Sequence, residues 1–307
     1  MAASPARRTL LDMPLFRRHD GDLVRGAPAM RRIMPYLMRA RNQSAVFHDS
    51  VYRMPAALAW LEAYNRSHAG HATLFDLFLY ACGQALHARP ELNRFVSGGR
   101  LYQRRGVQVA FVVKRRMSDA GVGTTVKVEI PPGEPFPIFV ARITRIIEEA
   151  RGPDRAVDKE TALFVKVPGP LLRVLVATAR LLDAWNLYPR FMIANDPMFA
   201  SLFLANLGSA GLSDAYHHLY EYGNVSIFGA MSAVRRMPFV DGDRVVASEG
   251  LAIRWTFDER IHDAFYAAHS LEIVQHILED PVRHLGAPEG EPVFVPANRP
   301  ETADTAP

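Results

Sequence analysis

The sequence predicts an α/β protein of one domain, in which helices and strands alternate. Three observations carry that prediction. Segments with apolar residues at three- and four-residue spacing alternate along the chain with short runs of strand character. The 307 residues are 49% hydrophobic and 22% charged, enough to bury one large core. Neither an internal repeat nor a low-complexity linker divides them, so a single domain is expected over residues 26–285.

The elements follow in order. Residues 1–25 read as a flexible basic arm. Ala27 to Arg41 predicts a helix on Met30, Ile33, Met34, Leu37 and Met38, kinked or restarted at Pro35. Phe47 to Met54 predicts a strand, and Pro55 opens a helix that runs to Ser67 on Leu58, Leu61 and Tyr64. Thr73 to Ala88 has the widest apolar face, through Leu74, Leu77, Phe78, Ala81, Cys82 and Ala85, and ends before Pro90. Strands are expected at Arg100–Tyr102, Val107–Lys114 and Thr124–Ile130, where Val126, Val128 and Ile130 alternate. The stiff segment at 131–137 leads into a crossover helix from Ile138 to Ala150. Gly121 to Gly123 reads as a short turn, without a dinucleotide fingerprint around it. Further strands are predicted at Ser201–Ala205, Val225–Ser232 and Leu251–Phe257, with a hairpin turning at Asp241-Gly242-Asp243. Ala264 to Glu279 predicts the last helix, and residues 286–307 a disordered tail.

Charge and cysteine content narrow the setting. The formal net charge of +4 is carried by arginine, because lysine occurs only at 114, 127, 159 and 166. Nine arginines between Arg7 and Arg41 suit either a solvated arm or contact with an anionic ligand or lipid surface. Cys82 has no partner for an intrachain disulfide, which points to a reducing cytoplasm, and Arg7, Arg8, Arg17 and Arg18 interrupt any signal-peptide run. The most apolar stretch, Gly169 to Ala194, is divided by Arg173, Arg180, Asp183 and Arg190 and does not span a membrane. Its Leu171, Leu172, Leu175, Leu182 and Leu187 form a broad helical face, expected to pack on the core rather than touch lipid.

The segment Leu251 to Pro281 ends a strand, places several polar groups in a loop and starts a helix. It resembles the D-H-R-x-x-D-G motif and closing L-E-x-P of the catalytic domain of 2-oxo acid dehydrogenase dihydrolipoyl acyltransferases, which share the chloramphenicol acetyltransferase fold, and so implies a two-layer arrangement of a mixed sheet with flanking helices. Asp258, Arg260 and Asp263 match, Glu259 stands in place of the histidine, and Ala264 replaces the glycine. Thr73 to Asn93 is similar to the family's helix ending in P-x-L-N, and Asn206-Leu207-Gly208 to its N-L-G turn. The resemblance covers roughly Met30 to Pro281 and lacks the lipoyl and subunit-binding domains, so no covalent lipoyl group is expected.

The resemblance implies a homotrimer with a channel between subunits, a coenzyme A or other small-molecule acyl thioester as substrate, and the 258–264 loop beside the 205–208 turn. In the family the histidine takes a thiol proton, and a serine or threonine just before the N-L-G turn stabilises the oxyanion. Here that stretch reads Phe203-Leu204-Ala205, with Ser201 and Ser209 as the nearest hydroxyls. The implied roles are therefore Glu259 as a non-standard base and Asp263 holding the loop by pairing with Arg31 or Arg32. Asp258, Arg260, Asn206, Gly208 and Ser209 support the site.

Three functions remain open: acyl transfer with altered chemistry, an inactive pseudoenzyme serving as scaffold or regulator, and a lipid or acyl-chain enzyme at a membrane surface. His262, His217 and His218 are the other candidate bases; His262 is expected to point away from Glu259, and neighbours in an extended segment cannot both face one site. Neither a zinc, P-loop nor redox motif is present; Asn195, Asp196 and Glu221 are too isolated to suggest a metal, and no nucleic-acid partner is expected.

Overall fold

The computed structural model describes residues 17–68, 70–114, 123–152, 166–212 and 214–290. Helices α1 (Ala29–Leu37), α2 (Pro55–Ser67), α3 (Leu74–Ala88) and α4 (Phe136–Arg151) precede α5 (Gly169–Ala184), α6 (Arg190–Asn195), α7 (Ala264–Glu279) and α8 (Pro281–Leu285). Strands are β1 (Gly21–Leu23), β2 (Ala45–Arg53), β3 (Arg94–Ser97), β4 (Arg100–Arg104), β5 (Gln108–Lys114), β6 (Gly123–Glu129), β7 (Leu202–Asn206), β8 (Ile227–Met231), β9 (Arg235–Asp241) and β10 (Arg244–Asp258). Gly123 therefore begins a strand, and the rest of the predicted Gly121–Gly123 turn lies outside the described residues.

The main sheet runs β2-β10-β8-β7-β5-β6, with β9 paired to the first half of β10. It is mixed as expected: β7 lies parallel to both β5 and β8, and the remaining pairs are antiparallel. Along β10 the residues Leu251, Ile253, Trp255 and Phe257 point into the large core formed with α2, α3, α4 and α7. The opposite face is covered by the 214–224 segment, where Leu219 packs with Phe203 and Phe228 and Thr256 Oγ1 donates to the His217 carbonyl at 2.6 Å.

Local chemistry explains the helix starts. Pro55 occupies the first position of α2, where its missing N–H costs nothing. Thr73 caps α3 and, with Asp76, closes a reciprocal capping box, leaving Leu77 to Leu86 buried. Asp263 caps α7 by accepting from the Tyr266 N–H at 2.9 Å.

Two expectations need correction. Residues 17–25 are not a loose arm: β1 pairs with β4 in a second sheet ordered β1-β4-β3, and Arg18 is buried. Arg18 meets Asp20 and Asp183, each at 2.6 Å, while Asp183 also accepts from Ser97 Oγ at 2.7 Å. Burial pushes the Asp20 carboxyl up, but Arg18 and Arg104 outweigh it and hold the group below its ordinary 3.8. The first sixteen residues of the arm and residues 291–307 of the tail lie outside the described residues.

The second correction concerns α5. Its apolar face was expected on the core, yet Asp183 is its single buried residue. Leu171, Leu175, Leu181 and, just beyond, Trp185 and Leu187 are exposed. The helix is tethered near its end, through Asp183 and through Leu182 and Ala179, which pack on the small cluster of Tyr188, Ile193 and Phe199, while the rest of its apolar face is left largely open.

Candidate functional site

The Glu259 loop is built on a buried ion pair. Asp258 ends β10 fully buried, and Arg260 turns back on it with bonds of 2.8 and 2.7 Å from Nε and Nη2. Arg260 Nη1 also donates to the carbonyls of Met38 and Arg39, and Ser44 Oγ donates to Asp258. Every lone pair and N–H thus committed fixes loop shape, so these two residues are positioning groups. Between them, the Glu259 N–H donates to the Ser44 carbonyl at 2.9 Å and its carbonyl accepts from Arg31.

That backbone grip leaves the Glu259 side chain at the wall of a cavity of about 260 Å³. Val46, Phe47, Phe257 and Leu271 make most of it apolar, while Ala264, Ala267 and Ala268 of α7 keep it open. Among the described residues the Glu259 carboxylate has no hydrogen-bond or ion-pair partner. An uncommitted carboxylate in an apolar cleft can exchange a proton with whatever enters.

Asp263 differs from expectation. Its side chain is 57% exposed, and Arg31 stands 4.0 Å away, so the pair is at the surface and loose. Arg31, whose Nη1 bonds the Glu259 carbonyl, is the arginine that faces the loop; Arg32 is exposed on α1 and takes no part. The Tyr266 N–H, against a small burial cost, holds the Asp263 carboxyl below its ordinary value, with His262 and Arg31 adding to this. An ionised cap is what the helix start requires.

His262 lines the same cavity as Glu259, with its ring bonded to other groups. Both ring nitrogens are occupied: Nδ1 accepts from the Asp263 N–H at 3.0 Å, and Nε2 lies 2.8 Å from a Glu91 carboxylate oxygen. In the neutral ring this places the proton on Nε2, pointing at Glu91. His217 and His218 lie elsewhere, on the opposite face of the sheet. Their rings stack at 4.6 Å instead of alternating, and His217 lies flat on Phe228 at 4.0 Å; burial pushes its imidazole below the ordinary value.

The N-L-G turn is intact but distant within one chain. Asn206 is level with Met231, and Met231 with Ile253, so Asp258 lies five residues, roughly 17 Å, further along β10. None of residues 205–209 lines the Glu259 cavity. At the turn, the Ser209 N–H and Oγ bond Asn206, at 3.0 Å to its Oδ1 and 2.8 Å to its carbonyl. A Cβ on Gly208 would meet the Ser232 carbonyl at 2.6 Å, so glycine is required. Ser201 Oγ accepts from the Gln108 N–H at 3.0 Å and is buried. Both serine hydroxyls are thus engaged by backbone groups of their own surroundings.

No protein-family model matches the chain, and no curated protein matches its sequence. Solved structures do. A probable dihydrolipoamide acetyltransferase from Listeria monocytogenes superposes with a TM-score of 0.55 at 13% identity, over 84% of this chain and 95% of that one. The cubic core of a pyruvate dehydrogenase multienzyme complex gives 0.54 at 14% identity, over 85% and 93%. A chloramphenicol acetyltransferase gives 0.51 at 13%, over 84% and 99%. The chain therefore has the chloramphenicol acetyltransferase-like fold that its motif order predicts.

Proposed function

We propose that the chain binds an acyl thioester of coenzyme A or a related carrier in the Glu259 cavity and transfers its acyl group. The observation that carries this reading is the uncommitted Glu259 carboxylate on the wall of a largely apolar cleft. Glu259 takes the proton of an acceptor thiol, and the thiolate attacks the thioester carbonyl. Collapse of the tetrahedral adduct breaks the original carbon–sulfur bond, and the leaving thiolate recovers the proton.

A carboxylate in water is a weak base for a thiol, their ordinary values being about 4.3 and 8.5. A ligand seated against Val46, Phe47 and Leu271 displaces water from the cleft, so the Glu259 carboxylate meets the thiol without competition from solvent. The Asn206–Ser209 turn reaches such a ligand only from another copy of the chain. We therefore assign a homotrimer, in keeping with the assembled core among the similar structures. The test is acyl transfer from acetyl-coenzyme A to dihydrolipoamide. Wild-type turnover with a loss of roughly 100-fold or more in Glu259→Gln supports the base; unchanged turnover in the variant removes it.

The absent hydroxyl at Ala205 favours a second reading, a pseudoenzyme that binds the thioester as a scaffold or regulator. Losing an oxyanion donor costs about 3–4 kcal/mol in the transition state. Saturable coenzyme A binding without any turnover selects this reading. The exposed apolar residues of α5 and Phe191 of α6 supply the observation for the third reading, action at a lipid surface. No described helix is long and apolar enough to cross a membrane. Flotation with anionic liposomes at low salt tests surface binding, and failure to float removes it.

A further inference from the structure

A second cavity, of about 170 Å³, lies where Arg260 leaves the Glu259 loop and is walled by the end of α1, the β3–β4 turn, α5 and the 221–223 segment. Gly98 and Gly99 form the two-residue turn, both at positive φ, so no side chain from it fills the space. The charged side chains that line it are Arg39, Arg41, Arg180, Arg260, Asp183 and Glu221.

Several of these charges are already spent. Arg260 is neutralised by Asp258, and Asp183 by Arg18. Glu221 accepts the backbone N–H of Arg41 at 3.2 Å, and the N–H and side-chain amide of Asn42, each at 3.0 Å. Arg41 is different. It is only 6% exposed, yet its guanidinium bonds neutral carbonyls alone: Tyr220 at 3.0 Å, Glu221 at 3.2 Å and Val96 at 3.3 Å. Its Nε–H is buried without an acceptor. Burial pushes this guanidinium below its ordinary value; Asp258, and more weakly Asp183 and Glu221, oppose that, and Arg260 adds to it. Arg39 and Arg180 are exposed at the rim and have no acidic partner among the described residues.

A buried guanidinium without a carboxylate is costly unless a counter-charge arrives. Buried Arg41 and the exposed Arg39 and Arg180, from the 39–41 segment and from α5, together offer more N–H donors than the two oxygens of one carboxylate accept. A phosphoryl group, with three peripheral oxygens, matches them. We propose that this cavity binds the phosphoryl group of a small molecule on Arg41, with Arg39 and Arg180 closing over it from the rim. The proposal stands apart from the thioester reading, because none of these arginines lines the Glu259 cavity.

The test titrates the full chain with inorganic phosphate at constant ionic strength, by calorimetry and thermal shift. Saturable binding with a raised melting temperature is expected. The double variant Arg39→Gln, Arg180→Gln keeps the ligand-free melting temperature, since both side chains are exposed, and weakens phosphate about 100-fold, tenfold per arginine. Arg41→Lys keeps the charge and loses the planar fork, and it weakens binding about tenfold if it folds. Absence of saturable binding by wild type, or equal affinity in the double variant, overturns the proposal. An equal response to acetate overturns the phosphoryl assignment.

Discussion

Helices α3 and α5 are nearly the same length and both rich in apolar residues, but they end in opposite environments. In α3 every residue from Asp76 to Leu86 is buried, and Phe78 packs on Trp255 with ring centroids 5.8 Å apart. In α5 Val174 is 60% exposed and Leu181 59%, and the helix is held near its end by Asp183, by the Ala184 carbonyl and by Ala179 and Leu182 against Tyr188, Ile193 and Phe199. Arginines at 173 and 180 break the α5 surface, while α3 between its ends carries no charge beyond its capping Asp76. Apolar periodicity thus records a demand for cover; which surface supplies that cover depends on what else the helix carries.

Substitutions sharpen this contrast. The largest effect is expected for Phe78→Ala in α3, about 3–5 kcal/mol in urea unfolding, because it leaves a cavity against Trp255. Asp183→Ala is next, roughly 3 kcal/mol, since Arg18 keeps Asp20 but loses its second carboxylate. Hydrogen exchange should show that loss concentrated in α5 and β1; uniform loss across the main sheet would contradict the tether. Gly98→Ala should cost about 1–3 kcal/mol, because φ is +55° and the new Cβ would lie 2.2 Å from the Ala184 carbonyl.

Acid acts on the same tether. Asp20 titrates below 3.8 when folded, so the unfolded chain binds its proton first as pH falls. Its stabilisation is complete above that value and is lost below it, through the folded value. The melting temperature should fall more steeply below about pH 4 in wild type than in Asp20→Asn. The smallest effect is expected for Leu181→Ser, under about 0.5 kcal/mol in the isolated chain, with loss of self-association or lipid binding instead. A core-sized destabilisation by Leu181→Ser would show that α5 is covered within the chain after all.

Much of the fold was legible because its signals are local. Pro55 and the spacing after it mark α2 to the residue, and the predicted span from Ala264 to Glu279 matches α7, whose cap by Asp263 only the structure shows. Strand β3 was missed although Gly98-Gly99 between two short polar-apolar runs is a hairpin signal. Strand β1 is three residues long, and α8 is a single turn opened by Pro281. The Arg18–Asp183 bond spans 165 positions, and nothing in either residue's neighbourhood announces the other. At the candidate site, the loop motif located Glu259, but the choice of Arg31 over Arg32 depends on which helix face meets the loop. The place of His262 in the Glu259 cavity likewise required the fold, since Glu91 orients its ring from another segment.

The most direct test is a structure of the full chain with acetyl-coenzyme A bound. The account predicts the thioester sulfur within about 3.5 Å of the Glu259 carboxylate, with the Asn206–Ser209 turn of a neighbouring copy against the acyl group. A thioester bound elsewhere, or a lone chain whose cleft excludes it, would contradict the account.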